Sequence, residues 1–379
     1  MSVLMNKNIN IMKRVFLNIL LISIVTSFSL QSCHKETNSS VDASIIPTVF
    51  KVNIPSALNT PNSLNINGTK SLTTTDSISG QKIYQNLRLF LSVGDSAASL
   101  VQNIMLSISR YNITKPMQLT YKGLNDGRPK LLIETDNVTF EGIWQHSIII
   151  TDILDTAVAM KIYWNLSPVK GIAILRPYEI DKKGKNLKLP NARYRIDYSE
   201  AGENGYNVQM TIALSGLPID TNNTYSINNL KYFAGRKVDI IDIYGNTNHP
   251  IAKLLLKSYT GGFNWAFAAA CDRVKNVGVA EIGLPPCDSS FTSRDDILVK
   301  HSIRNVLEQE IKTLYPSISD TVLSNLLINT GPPGFFNAAG FVQSQTAPDG
   351  DYSAIQSRIL SLTPFNPADI NSLSVTFNP

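Results

Sequence analysis

The chain has 379 residues, 43% of them hydrophobic and 17% charged, which is enough apolar material for a substantial core and excludes a disordered or collagen-like polymer. Lys and Arg number 34 against 29 Asp and Glu, a formal charge of +5; three of those cations, Lys7, Lys13 and Arg14, precede an apolar N-terminal run. The remainder is close to neutral and has no long basic stretch, so nucleic acid is not an expected partner.

The first element is Met12-Lys13-Arg14 followed by the apolar residues Val15 to Val25 and then Thr26-Ser27-Phe28-Ser29-Leu30, the basic and apolar regions of a secretory signal. The run is short, carries Asn18 and several hydroxyls, and gives way to Ser/Thr/Asn-rich sequence, all of which disfavours a permanent membrane span. Met12 is an alternative start. Leu30-Gln31-Ser32-Cys33 resembles the lipobox of bacterial lipoproteins, with an aliphatic residue three places before the cysteine and a small one directly before it. The resemblance covers the leader alone. It implies a signal peptide over 1–32, thioether diacylglyceryl attachment to Cys33, cleavage before it and acylation of the new amino terminus. At roughly 0.8 kcal/mol per buried CH₂, several acyl chains hold a protein at a membrane almost irreversibly. The address so implied is the bacterial cell envelope. His34 in place of Asp after the cysteine points, within the lipoprotein sorting pattern, to the outer membrane, and leaves its face open. Lys35-Glu36 loosely resembles the short charged signals of surface-exported lipoproteins.

Residues 33–82 read as the lipidated cysteine and a mostly flexible tether, because stretches such as Thr37-Asn38-Ser39-Ser40 and Ser71 to Asp76 cannot bury enough apolar surface to offset chain entropy. Thr48 to Pro55 is an exception with the look of a first strand. A single α+β domain is expected over 83–379, mainly β over 83–290 and mainly α over 291–379. A helix is predicted from Asp95 to Tyr111, with Leu100, Val101, Ile104, Met105 and Ile108 at helical spacing. The period then changes to two. Strands are predicted over 131–140, 148–154, 158–164, 172–178, 194–198, 206–214, 238–244, 263–270 and 277–284, divided by turn sequences such as Asn125-Asp126-Gly127 and Gly202-Glu203-Asn204-Gly205. Strands this frequent, with no helices between them, argue for one meandering antiparallel sheet, curved in the manner of a half-barrel, and against a parallel doubly wound fold. In the C-terminal third Thr292 or Ser293 caps a helix with Val299, Ile303, Leu307, Ile311 and Leu314 on one face, ended by Pro316. Ser317 and Asp320 resemble a capping box for a second helix, stopped by Gly331-Pro332-Pro333-Gly334, and a third short helix covers 352–362.

Chemistry is sparsely signalled. His34, His146, His249 and His301 are the four histidines; without His-x-His, HExxH or Cys-x-x-Cys, no zinc pattern with local spacing exists, and the last three read as turn or surface residues. Ser215-Gly216 lacks a nucleophile-elbow context, no phosphate-cradling glycine loop occurs, and no cofactor motif is present. Asp239 to Asp242 and Asp349-Gly350-Asp351 read equally as cation ligands or as turn and solvent-face positions. Cys271 and Cys287 are disulfide candidates in an oxidising envelope. A simple hairpin between them places the two thiols toward opposite ends, so a bridge requires Pro285-Pro286 to fold sharply back. Trp144, Trp164, Trp265, Phe335, Phe336 and Phe341 are candidate ligand-contact aromatics, with core packing the commoner fate of such residues. Asp76-Ser77-Ile78, Asp95-Ser96-Ala97, Asp155-Thr156-Ala157 and Asp320-Thr321-Val322 resemble an Asp-[Ser/Thr]-apolar acceptor used by some envelope O-glycosylation systems.

The functional expectation is a noncatalytic lipoprotein, membrane-bound through Cys33, whose sheet and helices enclose an apolar or lipid-like ligand. The alternative is a surface adhesion or glycan-binding module in which aromatics such as Trp164 stack on sugar rings; an envelope hydrolase is a third and weaker class.

Overall fold

Period-two sequence from Met117 onward builds one open antiparallel sheet in which every strand pairs with its neighbours in sequence. A computed structural model describes residues 45–59, 80–111, 113–123, 125–221, 226–250, 263–287 and 289–378. Cys33 and the leader lie outside them. The compact unit begins at Ser44.

The thirteen strands are β1 (Met117–Lys122), β2 (Pro129–Thr139), β3 (Ile143–Asp152), β4 (Ala157–Leu166), β5 (Val169–Leu175), β6 (Arg193–Ser199), β7 (Val208–Ser215), β8 (Asn229–Lys237), β9 (Ile240–His249), β10 (Phe263–Asp272), β11 (Val277–Gly283), β12 (Gly334–Asn337) and β13 (Gly340–Ser344). The helices are α1 (Ser56–Asn59), α2 (Gly80–Ser109), α3 (Pro177–Ile180), α4 (Ile303–Leu314), α5 (Asp320–Leu326) and α6 (Gly350–Ile359), with a π-helical turn at Asp295–Lys300. The sheet does not close, since β1 and β13 each have a single partner. Large antiparallel sheet plus helices is the α+β class expected from the sequence. The C-terminal third is not uniformly helical, however, because β12 and β13 form a hairpin within it.

Thirty residues of α2 make a rod of about 45 Å, extending fifteen residues ahead of the helix start predicted at Asp95. Tyr84, Leu87, Phe90, Leu91, Ala98 and Val101 are buried on it and join one core with the inner face of the sheet, including Ile150, Ile162, Ile196, Ile212, Tyr232, Ile243 and Phe267. Phe90 packs edge-on to Trp265 at 5.2 Å between centroids, and Tyr232 Oη donates to Leu91 O at 3.3 Å. The segment 45–59 is part of this core and forms no strand. Phe50 stacks on Tyr198 at 5.1 Å, Lys51 pairs with Asp95 of α2 at 3.0 Å, and Trp164 Nε1 donates to Ile45 O at 2.7 Å.

The opposite face is covered too, by the C-terminal segment. Tyr352, Ile355 and Ile359 of α6 pack on Ala270, Val279 and Phe335; Ile297 and Leu298 lie on Ala266 and Ala268. Val375 and Phe377 cover Phe140, Trp144, Tyr163 and Ile174. Burial on both faces explains why β10 reads as a continuous apolar run, with its small alanines beneath the covering helices. The predicted helix over 293–315 is divided at His301-Ser302: Ser302 Oγ accepts from Asn305 N and starts α4 afresh, leaving Val299 and Leu314 exposed. Ser319, two residues after the predicted Ser317, caps α5 by accepting from Val322 N.

Candidate functional site

Along β2 the residues on the inner face are Lys130, Leu132, Glu134 and Asp136, and on β3 they are His146, Ile148, Ile150 and Asp152. Register places Lys130 opposite Asp152, Leu132 opposite Ile150, Glu134 opposite Ile148 and Asp136 opposite His146. Five polar groups therefore occupy the apolar parity of this hairpin and gather at its two ends.

At one end, Lys130 and Asp152 are almost wholly buried and meet at 2.7 Å; Arg128 Nε donates to the same carboxylate at 2.7 Å, and Lys130 Nζ also reaches Glu179 O at 2.8 Å. Asp155 pairs with Arg128 and Lys182, and Glu179 with Lys182. The Arg128 hydrogen bonds, followed by those of Lys130, hold the Asp152 carboxyl far below the usual range. The acids Asp152, Asp155 and Glu179 lie close enough to hold a metal ion, but three cations already occupy that role.

The other end is different. Asp136 Oδ1 lies 2.6 Å from His146 Nδ1, and Glu134 Oε1 lies 3.6 Å from the same nitrogen. The His146 ring rests 5.5 Å from that of Trp164, its cross-strand neighbour on β4. Exposure grades outward, from a fully buried Glu134 side chain through His146 at 15% to Asp136 at 34%. Both carboxylate oxygens of Glu134 are buried, and among the described residues neither accepts a hydrogen bond within 3.5 Å. No Lys or Arg pairs with Glu134 or Asp136 among the described residues. Burial, and then the neighbouring Asp136, raises the Glu134 carboxyl above its ordinary value. An oxygen of each acid and a nitrogen of the histidine lie within 4.8 Å of one another.

The residues singled out in the sequence go elsewhere. Trp164 and Trp265 are at most 1% exposed, Trp144 6%, and Phe335 and Phe336 0%; Phe341, half-buried, stacks on Tyr84 at 5.1 Å. All six pack in the interior or against it. Trp164 is thus not offered to a sugar ring, and the three phenylalanines lie on β12 and β13 instead of a loop. Cys271 and Cys287 are free thiols. The Cys287 carbonyl accepts from Asn264 at the start of β10, seven residues from Cys271, which separates the two positions by about 23 Å along an extended strand. His249 is a core residue beside Phe90 and Trp265, with Thr247 Oγ1 2.7 Å from its Nε2. His301 donates to Asp296 O at 2.6 Å. Ser215 Oγ accepts from Val375 N. Asp242 is held by Arg358 and Tyr206, Asp239 faces Arg273, Asp349 caps α6, and Asp351 pairs with Lys275. Ser96, Thr156 and Thr321 are exposed; Ser77 lies outside the described residues.

Sequence reading missed Glu134, Asp136 and His146 because they are joined by strand register across a hairpin and not by local spacing. A usable signal was present: two acids continuing the buried parity of Leu132. No family model, curated protein or solved structure matches the chain.

Proposed function

We propose that this is a noncatalytic lipoprotein of the bacterial cell envelope, anchored in the outer membrane through Cys33, and that its folded unit serves surface recognition or adhesion. In this reading the sheet curves as a half-barrel around α2. The observation that carries the choice between recognition and ligand carriage is the packing of α2: Tyr84, Leu87, Phe90, Leu91, Ala98 and Val101 fill the side of the sheet where an apolar ligand would sit. A lipid there must displace a helix whose large apolar side chains each contribute roughly 1.5–3 kcal/mol on burial. The buried aromatics also argue against sugar stacking through Trp164, so recognition falls to polar surface.

Anchoring is tested by metabolic labelling with a fatty-acid analogue. A thiol must attack the lipid donor, so Cys33→Ser is expected to leave an unlabelled, uncleaved precursor, and equal labelling of wild type and variant would refute the anchor. Native mass spectrometry of the protein is expected to find no stoichiometric noncovalent lipid beyond the acyl chains on Cys33; a noncovalent co-purifying lipid would restore the carrier reading.

A further inference from the structure

The two acid clusters at the ends of the β2–β3 hairpin pose the same electrostatic problem and solve it differently. Asp152, Asp155 and Glu179 are matched by Arg128, Lys130 and Lys182. Glu134 and Asp136 have one imidazole between them, and the deeper acid accepts no hydrogen bond within 3.5 Å among the described residues. A buried carboxylate without hydrogen bonds or a counter-ion is costly. A partner that lets both acids ionise is positive, compact and able to reach the inner end of a site whose rim is Asp136.

We propose that Glu134, Asp136 and His146 form a binding site for one first-row divalent transition-metal ion. Ligand bonds of 2.0–2.2 Å to nitrogen and oxygen require donor atoms roughly 3 Å apart. The present separations of 2.6 Å and 3.6 Å around His146 Nδ1 bracket that spacing, so small side-chain adjustments seat an ion. One imidazole and two carboxylates suit Zn²⁺, Co²⁺, Mn²⁺ or Fe²⁺; an oxygen-only shell is what Ca²⁺ and Mg²⁺ prefer. Two negative charges balance a dication. Adjacent strands of one hairpin hold the donors, with Asp136 and His146 directly opposite each other, and the Trp164 ring limits the swing of the imidazole. Three protein ligands leave at least one coordination position for water or an exogenous group at the exposed rim. The inference is independent of the anchoring and recognition reading, because it rests only on this hairpin and its neighbour β4.

The test uses the full-length chain in mild detergent, titrated with ZnCl₂ by calorimetry and with CoCl₂ by tryptophan fluorescence. Expected are one Zn²⁺ per chain at micromolar or tighter Kd, saturable quenching by Co²⁺ that Trp164→Phe largely removes, and at least a tenfold rise in Kd for each of Glu134→Gln, Asp136→Asn and His146→Gln. Circular dichroism establishes which variants are folded. Zn²⁺ binding that is unchanged in the folded variants would overturn the proposal, as that places the ion elsewhere, for example on Cys33 or His34. So would a wild-type affinity no tighter than millimolar. Should a variant fail to fold, the wild-type Co²⁺ titration decides: quenching that does not saturate, or that survives Trp164→Phe in full, also overturns it.

Discussion

Asp152 is the residue whose loss the sheet should tolerate least. Its side chain is fully buried and Lys130 is 1% exposed, with Nζ 2.7 Å from Oδ2. At an effective dielectric near 20 the attraction across that distance is about 6 kcal/mol before desolvation is counted. Asp152→Asn keeps the shape and removes the charge, leaving Lys130 with Glu179 O and with Asp126 at 3.5 Å. Breaking a buried pair from one side costs about 3–5 kcal/mol, and the surviving Asp126 contact sets the expectation at about 3. With an urea m-value of roughly 3 kcal/mol/M for a domain of this size, the midpoint should fall by about 1 M at pH 7. Removing both charges in Lys130→Met/Asp152→Asn leaves no buried ammonium without its carboxylate, keeps an acceptor oxygen for Arg128, and should cost less than the single change. The pH dependence has a definite sign. The folded-state pKa of Asp152 lies below its unfolded value near 3.8, so the stability it supplies is present above about pH 4 and is lost as the pH falls further. Asp152→Asn should flatten that acid limb. A midpoint shift under about 0.3 M, or a double variant as unstable as the single one, would refute the reasoning.

Two further expectations concern packing. Gly94 lies inside α2, where Ala normally gains up to about 1 kcal/mol, but a Cβ there would meet Tyr232 Cε1 at 2.2 Å and its Oη at 2.7 Å. Tyr232 is fully buried and hydrogen-bonded to Leu91 O, so Gly94→Ala should destabilise by about 1–3 kcal/mol in a urea melt; a stabilised variant would show that the ring moves freely. Cys271 is fully buried, and that burial, with Asp242 and Asp272 adding, pushes its thiol well above the usual value. Alkylation of the native chain should therefore label Cys287 ahead of Cys271, and non-reducing denaturation should free both; a mass consistent with an internal bridge would contradict the separation along β10.

Alternation of side chains was sufficient to read most of the sheet, because a strand with two different faces prints that difference at every second residue. Leu131 to Phe140 and Tyr206 to Leu214 both fall where strands form. β8 was passed over because Asn229, Gly235 and three basic residues dilute its pattern, although Leu230, Tyr232 and Ala234 all point into the core. The first half of α2 escaped for a related reason: Asn86, Arg88 and Ser92 are polar yet buried, so a helix packed on several sides loses the stripe that marks an amphipathic one.

Sequence by itself determined which segments extend, where turns interrupt them and which face of each strand is apolar, since these follow from local sterics and from burial of every second side chain. Only the tertiary structure decided which residues stand opposite one another. Glu134, Asp136 and His146 share a face by parity alone, but their meeting depends on the register of β2 with β3, fixed through the turn at Glu141 and Gly142. That no Lys or Arg among the described residues stands beside Glu134, in contrast to the crowd of cations around Asp152, is likewise a property of packing. A one-residue slip would leave the composition of both strands unchanged and turn His146 to the face opposite Glu134 and Asp136.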